Sequence, residues 1–445
     1  MNLIEHFAFL SDMRWIATMI VMVCYAVLFS EKVNRAVTTL MAAMFMVLSG
    51  VITQNEAFAS IDFNTISLLI GMMVIVSITE RSGLFQFVAV WGAQKVKANP
   101  VGLMIVLSLV TALFSAFLDN VTTVLLIVPV TIQITRKLQI TPYPYLILEI
   151  FASNIGGTAT LIGDPPNILI GSALNLSFMD FLVTLAPIVV LTVLVLVGVF
   201  VLIWKNALQT NERNRAAVMR MNAAANIVDK LLLCKSLSVL FLVIIGFILA
   251  EEIHIANGVI ALCGASVLLM LYTMKDSAYH RDEKTEEMFN LVDWTTIFFF
   301  MGLFMVVFGL EKTGVLEMLG QKFLSLTNGS LRRATFIILS VSAVVSSAID
   351  NIPFVATMIP MLKSMEESLG GREAMMPVWW ALSLGACFGG NGSLIGASAN
   401  VIVAGLAVRE GHPIKFLGFL LWSIPVMMIS TLMAGVYLYI KYFAF

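Results

Sequence analysis

Residues 115–130 read S-A-F-L-D-N-V-T-T-V-L-L-I-V-P-V, and residues 346–361 read S-S-A-I-D-N-I-P-F-V-A-T-M-I-P-M. Each stretch sets a carboxylate and an amide, Asp119-Asn120 and Asp350-Asn351, inside mostly apolar sequence. An acid in such a setting is costly in a membrane and marks a functional position by default. The offset between the two copies also aligns Asp62 with Asp293, Gly71 with Gly302, Glu80 with Glu311, Gly83 with Gly314 and Pro129 with Pro360. The chain is duplicated.

Hydrophobic residues make up 60% of the 445 residues and charged ones only 12%, which excludes an ordinary soluble domain. Windows of about 20 apolar residues, enough to cross a bilayer, recur along the whole length. The fold class expected is therefore an all-α polytopic membrane protein. A net charge of -1 gives no footprint for nucleic acid. The start, M-N-L-I-E-H-F, lacks the basic region of a cleavable signal. Cys24, Cys234, Cys263 and Cys387 are scattered, as are His6, His254, His280 and His412, so neither disulfide nor metal-site spacing is present. No cofactor is expected. No G-x-x-x-x-G-K-[ST] occurs, so any ATP dependence would need a partner subunit.

Hydropathy places five crossings in each half: 14–30, 35–52, 64–80, 145–174 and 181–204, then 236–251, 257–274, 295–311, 376–407 and 417–440. An odd number inverts the second half relative to the first. The repeats are thus 14–205 and 236–442, joined by a polar, basic linker at 206–235. Between the third and fourth crossings of each half lies a short amphipathic piece (84–96; 315–326), expected along the interface. It is followed by two apolar arms around Asp-Asn. The spans 101–135 and 334–365 read as re-entrant hairpins, since polar backbone at depth must be buried in protein or face water. With the N-terminus outside, most of the 26 basic residues fall on the cytoplasmic side, including Lys32, Arg35, Arg81, Lys95, Arg136, Lys275 and Arg409. The positive-inside rule supports that orientation, which leaves both termini outside.

A second motif follows each hairpin. Residues 154–171 read N-I-G-G-T-A-T-L-I-G-D-P-P-N-I-L-I-G, and 387–404 read C-F-G-G-N-G-S-L-I-G-A-S-A-N-V-I-V-A. Paired glycines and Pro165-Pro166 cannot continue an ordinary helix. The fourth crossing of each half should be broken near its middle, freeing amides and carbonyls whose partial charges bind ions. A hairpin tip beside a broken helix, repeated in inverted orientation, is how secondary transporters build a site at the membrane midplane.

Each candidate has a bland alternative. Asp119 and Asp350 serve coupling or binding, against simple helix caps; Asn120 and Asn351 are ligands, against turn formers. Thr122 and Thr123 offer hydroxyls, although Ile352-Pro353-Phe354 answers Val121-Thr122-Thr123 in the second copy. At Gly156, Gly157, Gly389 and Gly390 the backbone permits the break, and its amides and neighbouring carbonyls, with Thr158, are the ligand candidates. Asn167 and Asn400 either line the site or pin the break. Asn391 and Ser393 belong to the second break. Asp164 faces Ala397 in the alignment and so breaks the symmetry. Glu80 and Glu311 read as interface structure, and Glu149 is a candidate for a proton path. A lone Cys387 reads as packing.

These motifs, from about residue 61 to the C-terminus, resemble the ion transporter superfamily. Within it they are most similar to the branch of arsenical pump membrane proteins and the melanosomal P protein, with Na+/H+ antiporters of the NhaD type as competitor. The resemblance implies a homodimer in which a transport domain slides against a scaffold domain, elevator fashion, in a bacterial-type inner membrane. It implies arsenite or antimonite exported against protons, or Na+ exchanged for protons, with an ATPase subunit conceivable at the linker. Sodium-coupled dicarboxylate carriers of this superfamily have Ser-Asn-Thr at the hairpin tip. Here an acid replaces each serine, which demotes a polyanionic substrate and leaves an anion symporter as the weakest option. An intramembrane protease is excluded by the absence of its Tyr-Asp and Gly-x-Gly-Asp pairs, and a channel is disfavoured by paired acids beside broken helices.

Overall fold

The computed structural model describes residues 12–30, 32–274 and 276–444. His6, Lys275 and the N-terminal end, all used in the sequence reading, lie outside them. The described chain is helical throughout and contains no strand.

In the first half, α1 (Met13–Ser30), α2 (Arg35–Leu48), the short α3 (Gln54–Ala59) and α4 (Phe63–Arg81) come first. Then follow α5 (Leu84–Lys95), the hairpin α6 (Pro100–Phe117) and α7 (Asn120–Leu138), the broken pair α8 (Tyr143–Gly157) and α9 (Pro165–Leu174), and α10 (Phe178–Trp204). The linker holds α11 (Glu212–Met219). The second half repeats the plan: α12 (Lys230–Leu249), α13 (Asn257–Thr273), the loop helix α14 (Ala278–Asn290), α15 (Trp294–Lys312) and α16 (Val315–Thr327). Its hairpin is α17 (Leu331–Ala348) with α18 (Asn351–Lys363), and α19 (Met376–Gly389), α20 (Ser398–Arg409) and α21 (Phe416–Tyr442) complete it. Local chemistry sets the ends. Asn99 caps α6 ahead of Pro100, and Asp62 and Asp293, aligned by the repeat, each accept from first-turn amides of α4 and α15.

Among the described residues, nine helices are long and apolar enough to cross a membrane. That set counts hairpin arms α6, α7 and α17 but omits α2 and α13. Length is therefore a poor guide to what crosses. The 13 residues of α18 span only about 20 Å, short of an apolar core of about 30 Å. The tips of both hairpins also line one cavity.

The repeats interlock. α4 packs on α13 and α15 packs on α2, so the third crossing of each half lies against the second crossing of the other. The aligned glycines explain how. A Cβ on Gly71 would come within 2.5 Å of the Ala261 carbonyl carbon, and one on Gly302 within 2.7 Å of that of Thr39. Hairpin arms cross over too: α7 packs on α20, and α18 on α9.

The linker is a strap rather than a free tether. Thr210 and Asn214 donate to the Leu138 carbonyl, Arg215 donates to that of Lys97 at 3.0 and 3.1 Å, and Gln94 reaches the Met221 carbonyl at 2.5 Å. Lys97 and Leu138 mark the two feet of the first hairpin. Gly83 has φ 82°, and its missing Cβ leaves room for the Asn226 carbonyl where the linker returns.

Candidate functional site

Each hairpin is stitched to the broken helix behind it by the same bonds, made twice. Ser115 donates to the Ser153 carbonyl at 2.7 Å, and Ser346 donates to that of Ala386 at 2.5 Å. Thr160 donates to the Ala116 carbonyl; its partner by alignment, Ser393, donates to that of Ser347 at 2.6 Å. Those hydroxyls also accept from the amides of Gly163 and Gly396, both at 3.2 Å, and so close each break. Gly156 and Gly389 let the broken helix touch the hairpin backbone at Ala112 and Ala343.

The breaks are clasped by asparagines. Asn167 donates to the Thr158 and Thr160 carbonyls at 3.0 and 2.8 Å, and Asn400 to those of Gly390 and Ser393, both at 2.8 Å. Each clasp is then held from the opposite repeat. Asn154 donates to the Asn400 side chain at 2.8 Å and to that of Asn391 at 3.0 Å, while Ser383 donates to that of Asn167 at 2.6 Å and the Cys387 thiol lies 3.8 Å from it. Both Asn167 and Asn400 are fully buried and neither lines the cavity in front of them.

In front of this frame lies a cavity of about 120 Å³. Asp119-Asn120 with Thr122, Asp350-Asn351, and Asp164 from the first break all line it. Asp119 caps α7, accepting from the Thr122 amide at 2.8 Å and hydroxyl at 2.5 Å. Asp350 caps α18 more loosely, at 3.2 Å from the Ile352 amide. Asp164 is only 2% exposed, and its Oδ2 has no hydrogen-bond partner. It stands within interaction range of the Cys387 thiol and of Asn120 and Asn351, the amides of both tips. Helices α7, α9, α18 and α20 all begin at this cavity, so the positive ends of their dipoles offset part of the acids' repulsion.

The remaining candidates sit behind. The Asn120 side-chain oxygen Oδ1 accepts from the Ser115 hydroxyl at 2.7 Å and occupies the space a Cβ on Gly157 would need. Thr123 is fully buried with an unpartnered hydroxyl. Thr158 bonds back to the Asn154 carbonyl. Gly390 and Asn391 form the tight turn of the second break. Glu149 is fully buried below the site, bonded to Thr131 at 2.6 Å through one oxygen only. Among the described residues no three His, Cys, Asp or Glu side chains form a ready-made metal site.

Sequence reasoning missed Thr160, although pairing it with Ser393 by the repeat offset would have found it. It also missed Arg35, Asp293, Thr296 and Ser398, which line the cavity. Arg35 lies 3.5 Å from Asp350 and 3.6 Å from Asp293, and donates to Thr296 at 2.6 Å and Ser398 at 3.2 Å.

Residues 25–385 match the family described as citrate transporter. The chain belongs to this family. As a member of it, the protein is a membrane transporter. It is 41% identical to an uncharacterized transporter of Mycobacterium bovis, over 97% of this chain and 99% of the relative. It is 40% identical to a 46 kDa membrane protein of Mycobacterium leprae, with the same coverage. It is 33% identical to the human P protein over 96% of this chain and 60% of that protein, in keeping with the superfamily resemblance. Among solved structures, the Alcanivorax borkumensis YdaH transporter shares the fold at a TM-score of 0.58 and 14% identity, covering 97% of this chain and 99% of that one.

Proposed function

We propose that the protein is a secondary active transporter of the inner membrane in which Asp119, Asp164 and Asp350 hold the coupling cation, and that it exports arsenite or antimonite in exchange for protons. The observation that carries this reading is the unpartnered Oδ2 of the buried Asp164, facing a cavity shared with three further carboxylates and one guanidinium. Unbalanced carboxylates at depth are costly, and a bound proton or cation relieves them. The same excess of negative charge disfavours a free tricarboxylate. Citrate, named in the family description, would fit only with cations between it and the aspartates. Arsenous acid is uncharged near pH 7, so the protein's own acids would supply the coupling. Cys387, bonded behind Asp164, takes no part in the reading.

Na+/H+ exchange is the second reading, favoured by the carboxylate oxygens of Asp119, Asp164 and Asp350 around one cavity, since hard cations prefer oxygen ligands. In either case we infer an elevator-like cycle in a homodimer. The hairpins and broken helices would travel against α2, α4, α13 and α15, whose backbone-to-backbone packing suits a scaffold. The test uses proteoliposomes with an imposed pH gradient, given arsenite, Na+, or citrate with and without a divalent cation, following solute and internal pH together. Arsenite uptake with counter-movement of protons supports the first reading, and Na+-driven pH change without arsenite flux supports the second. Citrate flux without proton or cation dependence would sink both.

A further inference from the structure

Arg35 was counted in the sequence as a cytoplasmic loop charge, yet among the described residues it is the one basic side chain lining the cavity. Its guanidinium is shared. Asp293 caps α15 and Thr296 lies in its first turn, and α15 packs backbone to backbone with Arg35's own helix α2 at Gly302. Asp350 and Ser398 belong to the second hairpin tip and the second break. Facing Arg35 are therefore Asp293 from α15 and Asp350 from the hairpin, with Asp119 and Asp164 as the cavity's other charges. Neither ion pair is a close bidentate fork, so the cation is not committed to one carboxylate. Arg35, Asp350 and Ser398 also line an adjoining, mostly apolar cavity of about 300 Å³, which makes this bridge the wall between the two.

Symmetry sharpens the point. Thr39 meets Gly302 as Ala261 meets Gly71, which sets Arg35 at the start of α2 opposite Asn257 at the start of α13. Among the described residues the charged bridge has no counterpart in the other half.

We propose that Arg35 is a tethered cation: it neutralises Asp350 while the site is unloaded, ties the hairpin to α2 and α15, and yields Asp350 when the coupling cation binds. An unloaded site is thereby latched, and a loaded one is free to move. This rests on the cation-coupled reading above and adds to it the residue that forbids an empty return.

Competition makes an unusual prediction: removing Arg35 tightens cation binding. Purified full-length protein in detergent is unfolded thermally across a NaCl titration at fixed pH, and across pH in choline chloride, because a ligand of the native state raises its melting temperature. In Arg35→Gln the Na+ or proton concentration giving half-maximal stabilisation is expected to fall at least about tenfold, the effect an opposite charge at such range carries. Ser398→Ala, which removes one contact on the hairpin side, should shift it the same way by about threefold, and serves if Arg35→Gln does not fold. In proteoliposomes Arg35→Gln should dissipate the ion gradient without substrate, whereas the parent protein should hold it. An unchanged or weaker cation response in both variants overturns the latch while leaving the cation-coupled reading intact. A parent protein whose stability responds to neither Na+ nor pH overturns the reading and the latch with it.

Discussion

The two breaks at the centre of the molecule are alike in everything that holds them and unlike in what they present. Serine to carbonyl, hydroxyl to hairpin, glycine against hairpin backbone and asparagine across the break are each made twice, from Ser115 and Ser346 to Asn167 and Asn400. Besides the duplicated Asp119 and Asp350, two charges are single: Asp164 stands where the second break has Ala397, and Arg35 where α13 has Asn257. Duplication thus builds the frame, and the departures from it carry the electrostatics. A perfectly symmetric site would offer the same charge balance to both sides of the membrane. This one does not.

The largest expected effect comes from erasing the difference. Asp164→Ala copies the second break into the first and should abolish gradient-driven flux while the melting temperature in detergent holds or rises, since a buried unpaired acid is removed. Full flux in that variant would show the asymmetry to be incidental. Asp119→Asn and Asp350→Asn test the shared charges and should each stop coupled transport with insertion intact; coupling at the parent level in either would break the proposal. The frame should instead fail alike on both sides. Gly156→Ala and Gly389→Ala force a methyl into the Ala112 and Ala343 backbones, and each should cost about 1–3 kcal/mol in denaturant unfolding. Asn167→Ala and Asn400→Ala leave pairs of buried carbonyls unpaired and should cost about 1–3 kcal/mol each. A loss confined to one repeat would show that the stitching is not equivalent.

The smallest effect lies at the surface, where aligned Arg81 and Lys312 each find a carboxylate, Glu287 and Glu56. The hydrogen bond from Lys312, then those from Thr53, hold the Glu56 carboxyl down at about 2 from its usual 4.5. A depressed value stabilises the folded state above the unfolded one's range, so this contribution is present above about pH 4.5 and is lost as pH falls towards 2. Glu56→Gln should flatten that part of the acid-unfolding curve slightly, and a steeper curve would contradict the pairing.

Much of this was legible in the sequence because it is local or repeated. Acid-amide pairs in apolar arms, paired glycines and Pro165-Pro166 announce tips and breaks directly, and the offset between copies reveals the inverted repeat. Arg35 stayed hidden because a cation at a crossing's edge looks like a topology marker until its long side chain is seen to turn inward. The crossed packing of α4 with α13 and of α15 with α2 was also hidden. Periodicity tells which face of a helix is small, as at Gly71, but not which distant helix fills it. The linker's binding to Lys97 and Leu138 is invisible for a related reason: backbone carbonyls leave no trace in composition.

The crossed packing also constrains how the chain can be made. The small-residue surface of α4 at Gly71 leaves the ribosome long before Ala261 of α13 exists to cover it. The first repeat must therefore wait in the lipid, incomplete, through the synthesis of the linker and α12. Final assembly is a late event that closes both halves at once, and a chain truncated after the first repeat would present quality-control proteases with an open groove rather than half a transporter.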